Sequence, residues 1–101
     1  MKLVQILLPV RDNQGRKFRR AVYSQIHEEL VMRFGGLTAH ARSPAHGLWS
    51  SKGSTMRDDM IIVEVMTKRL DLKWWEKYRA ALERSFSQDE IIVRVHDIIV
   101  V

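Results

Sequence analysis

The chain has 101 residues, a formal net charge of +5, no cysteine, and 46% hydrophobic and 29% charged residues. This length predicts a single domain covering residues 1–101. The lack of cysteine excludes a disulfide scaffold, a cysteine-ligated zinc site and a thiol nucleophile. The longest apolar runs have four residues, far short of the about 20 that a membrane helix needs. The first residues do not read as a signal peptide, because Arg11 and Asp12 stand where a cleavage site would need small residues. We therefore expect a globular, cytoplasmic protein.

All of the positive charge excess lies in the first half of the chain. Residues 1–50 carry 8 basic and 3 acidic side chains, whereas residues 51–101 carry 9 of each. The excess is concentrated in a segment that we call the basic cluster, which consists of Arg11, Arg16, Lys17, Arg19 and Arg20.

The first half of the chain predicts a strand, a helix and a second strand. Leu3 to Val10 is rich in Leu, Ile and Val and ends in turn residues, which is typical of a buried strand. Gly35-Gly36 ends the following helix, because glycine readily adopts the left-handed conformation past the last turn. Leu37 to Arg42 alternates apolar and polar residues, as a strand with two different faces does. The helix, over Lys17 to Phe34, has an apolar stripe at Phe18, Val22, Ile26, Leu30 and Phe34.

The second half repeats the pattern after a long connection. Residues 43–59 are predicted to form a loop or ragged hairpin, with Leu48 and Trp49 as its large apolar pair. Met60 to Thr67 is predicted to be a strand, and Ile91 to His96 is predicted to be the last strand, followed by an apolar tail. Between them Asp71 is a plausible helix N-cap. It precedes an apolar stripe of Leu72, Trp75, Tyr78, Leu82 and Phe86.

The order β-α-β-β-α-β predicts an α+β, ferredoxin-like fold with right-handed crossovers. In this fold a four-stranded antiparallel sheet has the spatial order 4-1-3-2. Both helices cover one face of the sheet, and the other face stays open.

The predicted open face mixes charged and large apolar side chains. The apolar rows Leu37/Ala39/Ala41, Ile61/Val63/Val65 and Ile91/Val93/Val95 should lie under the helices. The open face would then present Thr38, His40, Arg42, Glu64, Arg94 and His96, among Met60, Ile62, Met66 and Ile92.

This mixture indicates that something covers the face. The favoured interpretation is a homodimer interface with a Glu64–Arg ion pair, because symmetric dimers are the commonest oligomers. A ligand or catalytic pocket on the same face is the alternative, with Glu64 as a general base, assisted by His40, if burial raises the carboxyl pKa. Solvent exposure without a role also remains open. The candidate ligand-binding residues are Thr38, Arg42, Trp49, Arg94 and Arg11, and the ligand could be a small anion.

We expect no cofactor and no metal. His40 and His96 are predicted on strands 2 and 4, roughly 14 Å apart at ~4.8 Å per strand spacing, so they cannot share an ion. No phosphate-binding loop, dinucleotide fingerprint or nucleophile-elbow pattern is present. The basic cluster at a helix start could bind phosphate or RNA, or could be a solvated turn. We do not expect nucleic-acid binding by the sheet, because its open strands lack the aromatic residues that stack on bases.

Three short motifs carry a resemblance to a known group of proteins. They are Arg33-Phe34-Gly35-Gly36-Leu37-Thr38, Gly47-Leu48-Trp49, and Phe86-Ser87-Gln88-Asp89-Glu90. The chain resembles small bacterial ferredoxin-like proteins with an F-G-G-x-T and G-x-W pattern. It is also similar, in fold, to the dimeric α+β barrel proteins, some of which are monooxygenases, isomerases or lyases. The resemblance draws attention to Thr38 and Trp49 and implies a pocket on the open face, but no particular activity.

Three functions therefore remain open. The first is a dimeric module that binds a small molecule on its open sheet face. The second is a cofactor-free enzyme with Glu64 as base and His40, Arg42 or Arg94 assisting. The third is an RNA or phosphate binder that uses the basic cluster.

Overall fold

A computed structural model describes residues 1–42 and 60–101. The predicted loop over residues 43–59, with Leu48 and Trp49, lies outside the described residues. Ala41 and Arg42 are described by their backbone alone. The elements, in chain order, are β1 (Lys2–Pro9), α1 (Arg20–Phe34), β2 (Thr38–Arg42), β3 (Met60–Thr67), α2 (Leu72–Ser85) and β4 (Val93–Asp97).

The four strands form one antiparallel sheet in the order β2-β3-β1-β4. This order confirms the predicted α+β, ferredoxin-like arrangement, with β1 and β3 in the centre. The register places Gln5 of β1 opposite both Glu64 of β3 and Arg94 of β4, and it places Thr38 of β2 opposite Glu64. Since side chains alternate along a strand, these four residues share one face.

The opposite face of β1 holds the core. Val4, Ile6 and Leu8 are almost completely buried. This row forms one apolar cluster with Val63 and Val65 of β3 and with buried side chains of both helices. The helix residues are Ile26 and Leu30 of α1 and Trp75, Tyr78 and Leu82 of α2. The helices therefore bury their apolar stripes against one apolar row of the sheet.

Coverage of this face is thinner at the sheet edges than predicted. Ala39 of β2 and Val95 of β4 are both exposed, although the alternation placed them under the helices. Both lie on edge strands, where a helix packed over the central strands covers less. Leu72 was also predicted to belong to the second helix stripe, but it is 61% exposed in the first turn of α2.

Element boundaries differ from the predictions by a few residues. Helix α1 begins at Arg20, with Arg19 at the N-cap, instead of at Lys17. Residues 17–19 stay outside the helix, because Lys17 and Phe18 bond to the chain just after β1. Lys17 forms an isolated bridge with Arg11, and the amide of Phe18 donates to the carbonyl of Val10. Strand β4 begins at Val93 instead of Ile91, and β2 begins at Thr38 instead of Leu37.

Both predicted helix signals are confirmed. The Asp71 side chain accepts a hydrogen bond from the Trp74 amide at 3.1 Å, which caps α2. Gly35 ends α1 with φ of +85°, and its amide donates to the carbonyl of Val31.

Within the two described ranges, no helix is both long and apolar enough to cross a membrane.

Candidate functional site on the open sheet face

Five side chains form a continuous hydrogen-bonded row across all four strands, which we call the polar chain. Nε2 of His40 lies 2.9 Å from Oε1 of Glu64. The side-chain amide of Gln5 donates to Oε2 of Glu64 at 2.7 Å. Oε1 of Gln5 accepts from Nε of Arg94 at 2.8 Å and lies 3.0 Å from Nε2 of His96. The polar chain therefore runs from His40 on β2 through Glu64 and Gln5 to Arg94 and His96 on β4.

The amide of Gln5 has a defined orientation in this network. An arginine side chain can only donate hydrogen bonds, so the Gln5 atom facing Arg94 must be the carbonyl oxygen. The amide nitrogen then faces Glu64, which accepts as a carboxylate. By the same reasoning His96 donates its Nε2 proton to Gln5, and His40 donates its Nε2 proton to Glu64. Gln5 thus connects the acidic Glu64 with the basic Arg94.

The polar chain lines a shallow recess of about 310 Å³, which we call the polar recess. The Glu64 side chain is 22% exposed there and the His40 side chain 49%. Glu64 is therefore the more withdrawn member of the pair, while it still borders the recess. Ile62, which is buried and lies opposite His40 in the register, is the apolar residue of this lining.

A second recess of about 420 Å³ adjoins the same carboxylate. We call it the apolar recess, because Glu64 is its one charged residue among the described lining residues. The segment from Phe34 to Thr38, which joins α1 to β2, forms one wall, and Leu3 and Met66 form the other. Thr38 therefore lies beside Glu64, as the register requires. Glu64 therefore borders both recesses.

The structure brings together four of the residues singled out from the sequence: Thr38, His40, Glu64 and Arg94. His96 joins them. The backbone of Arg42 lies on β2 opposite Met60, but its side chain is not described. Trp49 lies outside the described residues. The roles assigned to these residues remain predictions.

Arg11 does not belong to this group. It follows β1 and donates from Nη1 to the carbonyl of Gly15 at 3.2 Å. It lines a separate recess of about 360 Å³ with Asp12 and Glu90 at the end of the sheet. The other four residues of the basic cluster are exposed around the start of α1.

Gln5 is the functional candidate that the sequence did not single out. The neighbours of Gln5 from Leu3 to Leu8 are apolar on both faces of β1, so period-2 alternation could not assign Gln5 to a face. The available signal was its isolation, because Gln5 is the one polar residue in an otherwise apolar strand interior.

Within residues 1–42 and 60–101, no group of three or more His, Asp or Glu side chains is arranged to hold a metal ion. His40 and His96 lie on β2 and β4 at opposite edges of the sheet.

A cavity of about 450 Å³ lies on the helix side of the sheet, between α1 and strands β2 and β3. Its lining is mainly apolar and includes Leu8, Ile26 and Ile61, with His27 and Glu28 among its polar residues. It is separate from the polar chain, because Leu8 and Ile61 point away from the open face.

Comparison with known proteins identifies one informative fold relative. No family model matches the chain, and no curated protein sequence matches it. Among solved structures, the chain is similar to a phage SAM lyase in complex with S-methyl-5'-thioadenosine, with a TM-score of 0.56 and 11% sequence identity. The similarity covers 95% of this chain and 80% of that one. At this identity the likeness establishes a shared fold.

Proposed function

We propose that the open sheet face is a binding site for a small molecule, and that the first ligands to test are adenosyl thioethers and sulfonium compounds. The observation that carries this proposal is Glu64, which is hydrogen-bonded within the polar recess and also lines the apolar recess. Ligand sites typically combine apolar walls with a few convergent polar groups. The choice of ligand class is supported by the SAM lyase, because its fold extends over 95% of this chain and its structure contains S-methyl-5'-thioadenosine.

Titration calorimetry with SAM (S-adenosylmethionine) and with S-methyl-5'-thioadenosine tests this function. We expect both to bind, and Glu64→Gln to weaken binding of the cationic SAM by about tenfold, which corresponds to about 1.4 kcal/mol. Glu76→Gln is the matched control, because Glu76 is exposed on α2 and distant from the sheet face. Equal affinities for wild type, Glu64→Gln and Glu76→Gln would place binding elsewhere and contradict the proposal.

We further propose that a second copy of this chain covers part of the open face. Met66 is 53% exposed and Ile92 is 48% exposed on this face. Burying such apolar side chains against a partner lowers the free energy of the complex. A stable interface buries about 800 Å² on each partner. Sedimentation velocity over a concentration series should show a dimer or larger oligomer. Ile92→Lys should dissociate it, while the control Met32→Lys, at an 89% exposed position on α1, should not. A monomer at all concentrations would disprove self-association.

A lyase reaction without a cofactor is the second candidate function, and the fold relative's reaction class is the observation that favours it. In this function Glu64 removes a β proton from the amino-acid chain of SAM, the C–H electrons form a Cβ=Cγ double bond, and the Cγ–S bond breaks. The products are S-methyl-5'-thioadenosine and the unsaturated amino acid 2-amino-3-butenoate, and the proton stays on Glu64. His40, 2.9 Å away, holds the carboxylate in position. A sulfonium is a good leaving group because it departs as a neutral thioether. Incubation with SAM should release S-methyl-5'-thioadenosine, detected by chromatography, and Glu64→Gln should abolish the release. A site that binds SAM without consuming it would leave binding as the function and reject the lyase.

A further inference from the structure

The arrangement of the two recesses restricts the ligand further, and this step rests on the proposed function. A molecule that occupies both recesses lies beside Glu64 where they adjoin, because Glu64 lines each of them. The part of the ligand at this junction therefore faces a carboxylate that is only 22% exposed. A cationic or hydrogen-bond-donating group is the chemistry that suits this position.

The charge changes sign along the polar chain. Glu64 and Arg94 both lie opposite Gln5 in the register, so two strand spacings of ~4.8 Å separate them, or roughly 10 Å between their backbones. Gln5 is uncharged and bonds to both. A ligand along this part of the row meets a carboxylate at Glu64 and a guanidinium at Arg94, where His96 is also present.

The apolar recess extends from Glu64 in the other direction. Gly36 lines it, and a Cβ added at Gly36 would meet no described atom within 4 Å. A larger side chain at Gly36 therefore has room for its Cβ, and because Gly36 lines the recess we expect such a side chain to reduce the recess volume. Phe34, Leu37 and Met66 give it walls suited to an uncharged, flat or aliphatic group.

We infer that the site takes an elongated ligand in which a cationic centre lies between an apolar group and an anionic group. The apolar group occupies the recess beside Gly36, the cation faces Glu64, and the anionic group, such as a carboxylate, reaches Arg94.

Two probes and two sets of variants test this order of groups. SAM carries a sulfonium and an amino-acid carboxylate, whereas S-methyl-5'-thioadenosine lacks both. Arg94→Gln should weaken SAM about tenfold and change the affinity for the neutral thioether less than about twofold. Arg79→Gln, at an exposed position on α2, is the charge-matched control. Gly36→Ala, Gly36→Val and Gly36→Leu should weaken both probes progressively with side-chain size, with thermal unfolding measured for each to confirm folding.

Different results separate this inference from the proposed function. If wild type binds but Arg94→Gln affects both probes equally, or the Gly36 series changes neither affinity, the assigned order of groups is wrong although the site stands. If wild type binds neither probe, the proposed function itself fails and this inference fails with it.

Discussion

The Tyr78 hydroxyl offers a direct test of how the core is built. Tyr78 lies on α2 and is 8% exposed, and among the described residues its oxygen has no hydrogen-bond partner. Burial raises the pKa of this hydroxyl, and the nearby negative charge of Glu29 raises it further. Its ring is held by stacking on Trp74, with the ring centroids 4.8 Å apart. Tyr78→Phe removes the buried polar atom and keeps the ring.

This substitution should stabilise the protein. An unsatisfied buried polar group costs about 1–3 kcal/mol. Removing it leaves a void of roughly 15 Å³, which costs about 0.4 kcal/mol. The net expectation is an increase of about 1 kcal/mol in the free energy of unfolding, or a rise of about 4–8 °C in Tm for a domain of this size. Urea unfolding and a thermal scan measure both quantities.

Tyr23→Phe is the matched control, because it removes a hydroxyl that does have a partner. The Tyr23 hydroxyl donates to the carbonyl of Pro9 at 2.6 Å, so its loss should destabilise by about 0.5–1.5 kcal/mol. The two substitutions are chemically identical and should change stability in opposite directions. If Tyr78→Phe destabilises the protein as much as Tyr23→Phe does, the reasoning about the buried hydroxyl is refuted.

Four further predictions follow from the fold. Asp71→Ala removes the N-cap of α2 and should cost about 1 kcal/mol in urea unfolding, whereas Asp71→Asn retains a capping oxygen and should cost much less; equal losses would argue against the cap. Gly35→Ala should cost about 1 kcal/mol because of its positive φ, and Gly36→Ala should be close to neutral; the reverse order would contradict the assigned helix end. Above about pH 10 the unfolded state releases the tyrosine protons that Tyr78 and Tyr23, whose pKa values burial raises, retain when folded. The free energy of unfolding should therefore keep this contribution below pH 10 and fall as the pH rises beyond it, and the fall should be shallower in Tyr78→Phe. Identical pH slopes for wild type and Tyr78→Phe would contradict this. Finally, oligonucleotide binding measured across salt concentrations should show no steep slope, whereas strong binding that collapses with salt would assign the basic cluster to phosphate contacts.

The order of elements was predictable from the sequence because each signal was local. Met60 to Thr67 is a run rich in Ile and Val whose bounds are confirmed, and Asp71 caps α2 as its position before an apolar stripe indicated. The start of α1 was predicted too early, since Phe18 continues the apolar spacing although its amide bonds to Val10 outside the helix. Spacing alone does not distinguish an apolar residue that precedes a helix from one inside it.

The candidate site was predictable only where strands alternate. Thr38, His40, Glu64 and Arg94 fell on one face because their neighbours in the chain are apolar. Gln5 could not be assigned, because β1 is apolar on both sides and its phase depends on pairing with strands far away in the sequence. The link from Glu64 through Gln5 to Arg94 is therefore a product of the register, which local periodicity does not specify.

The most direct test of the central claim is a map of backbone amide chemical shifts during titration with SAM. The claim that the open face is the binding site predicts that the largest shifts occur at Gln5, Thr38, Glu64 and Arg94, and that Glu64→Gln reduces them while Glu76→Gln does not. Shifts concentrated instead around Ile26 and His27, which line the helix-side cavity, would contradict the account.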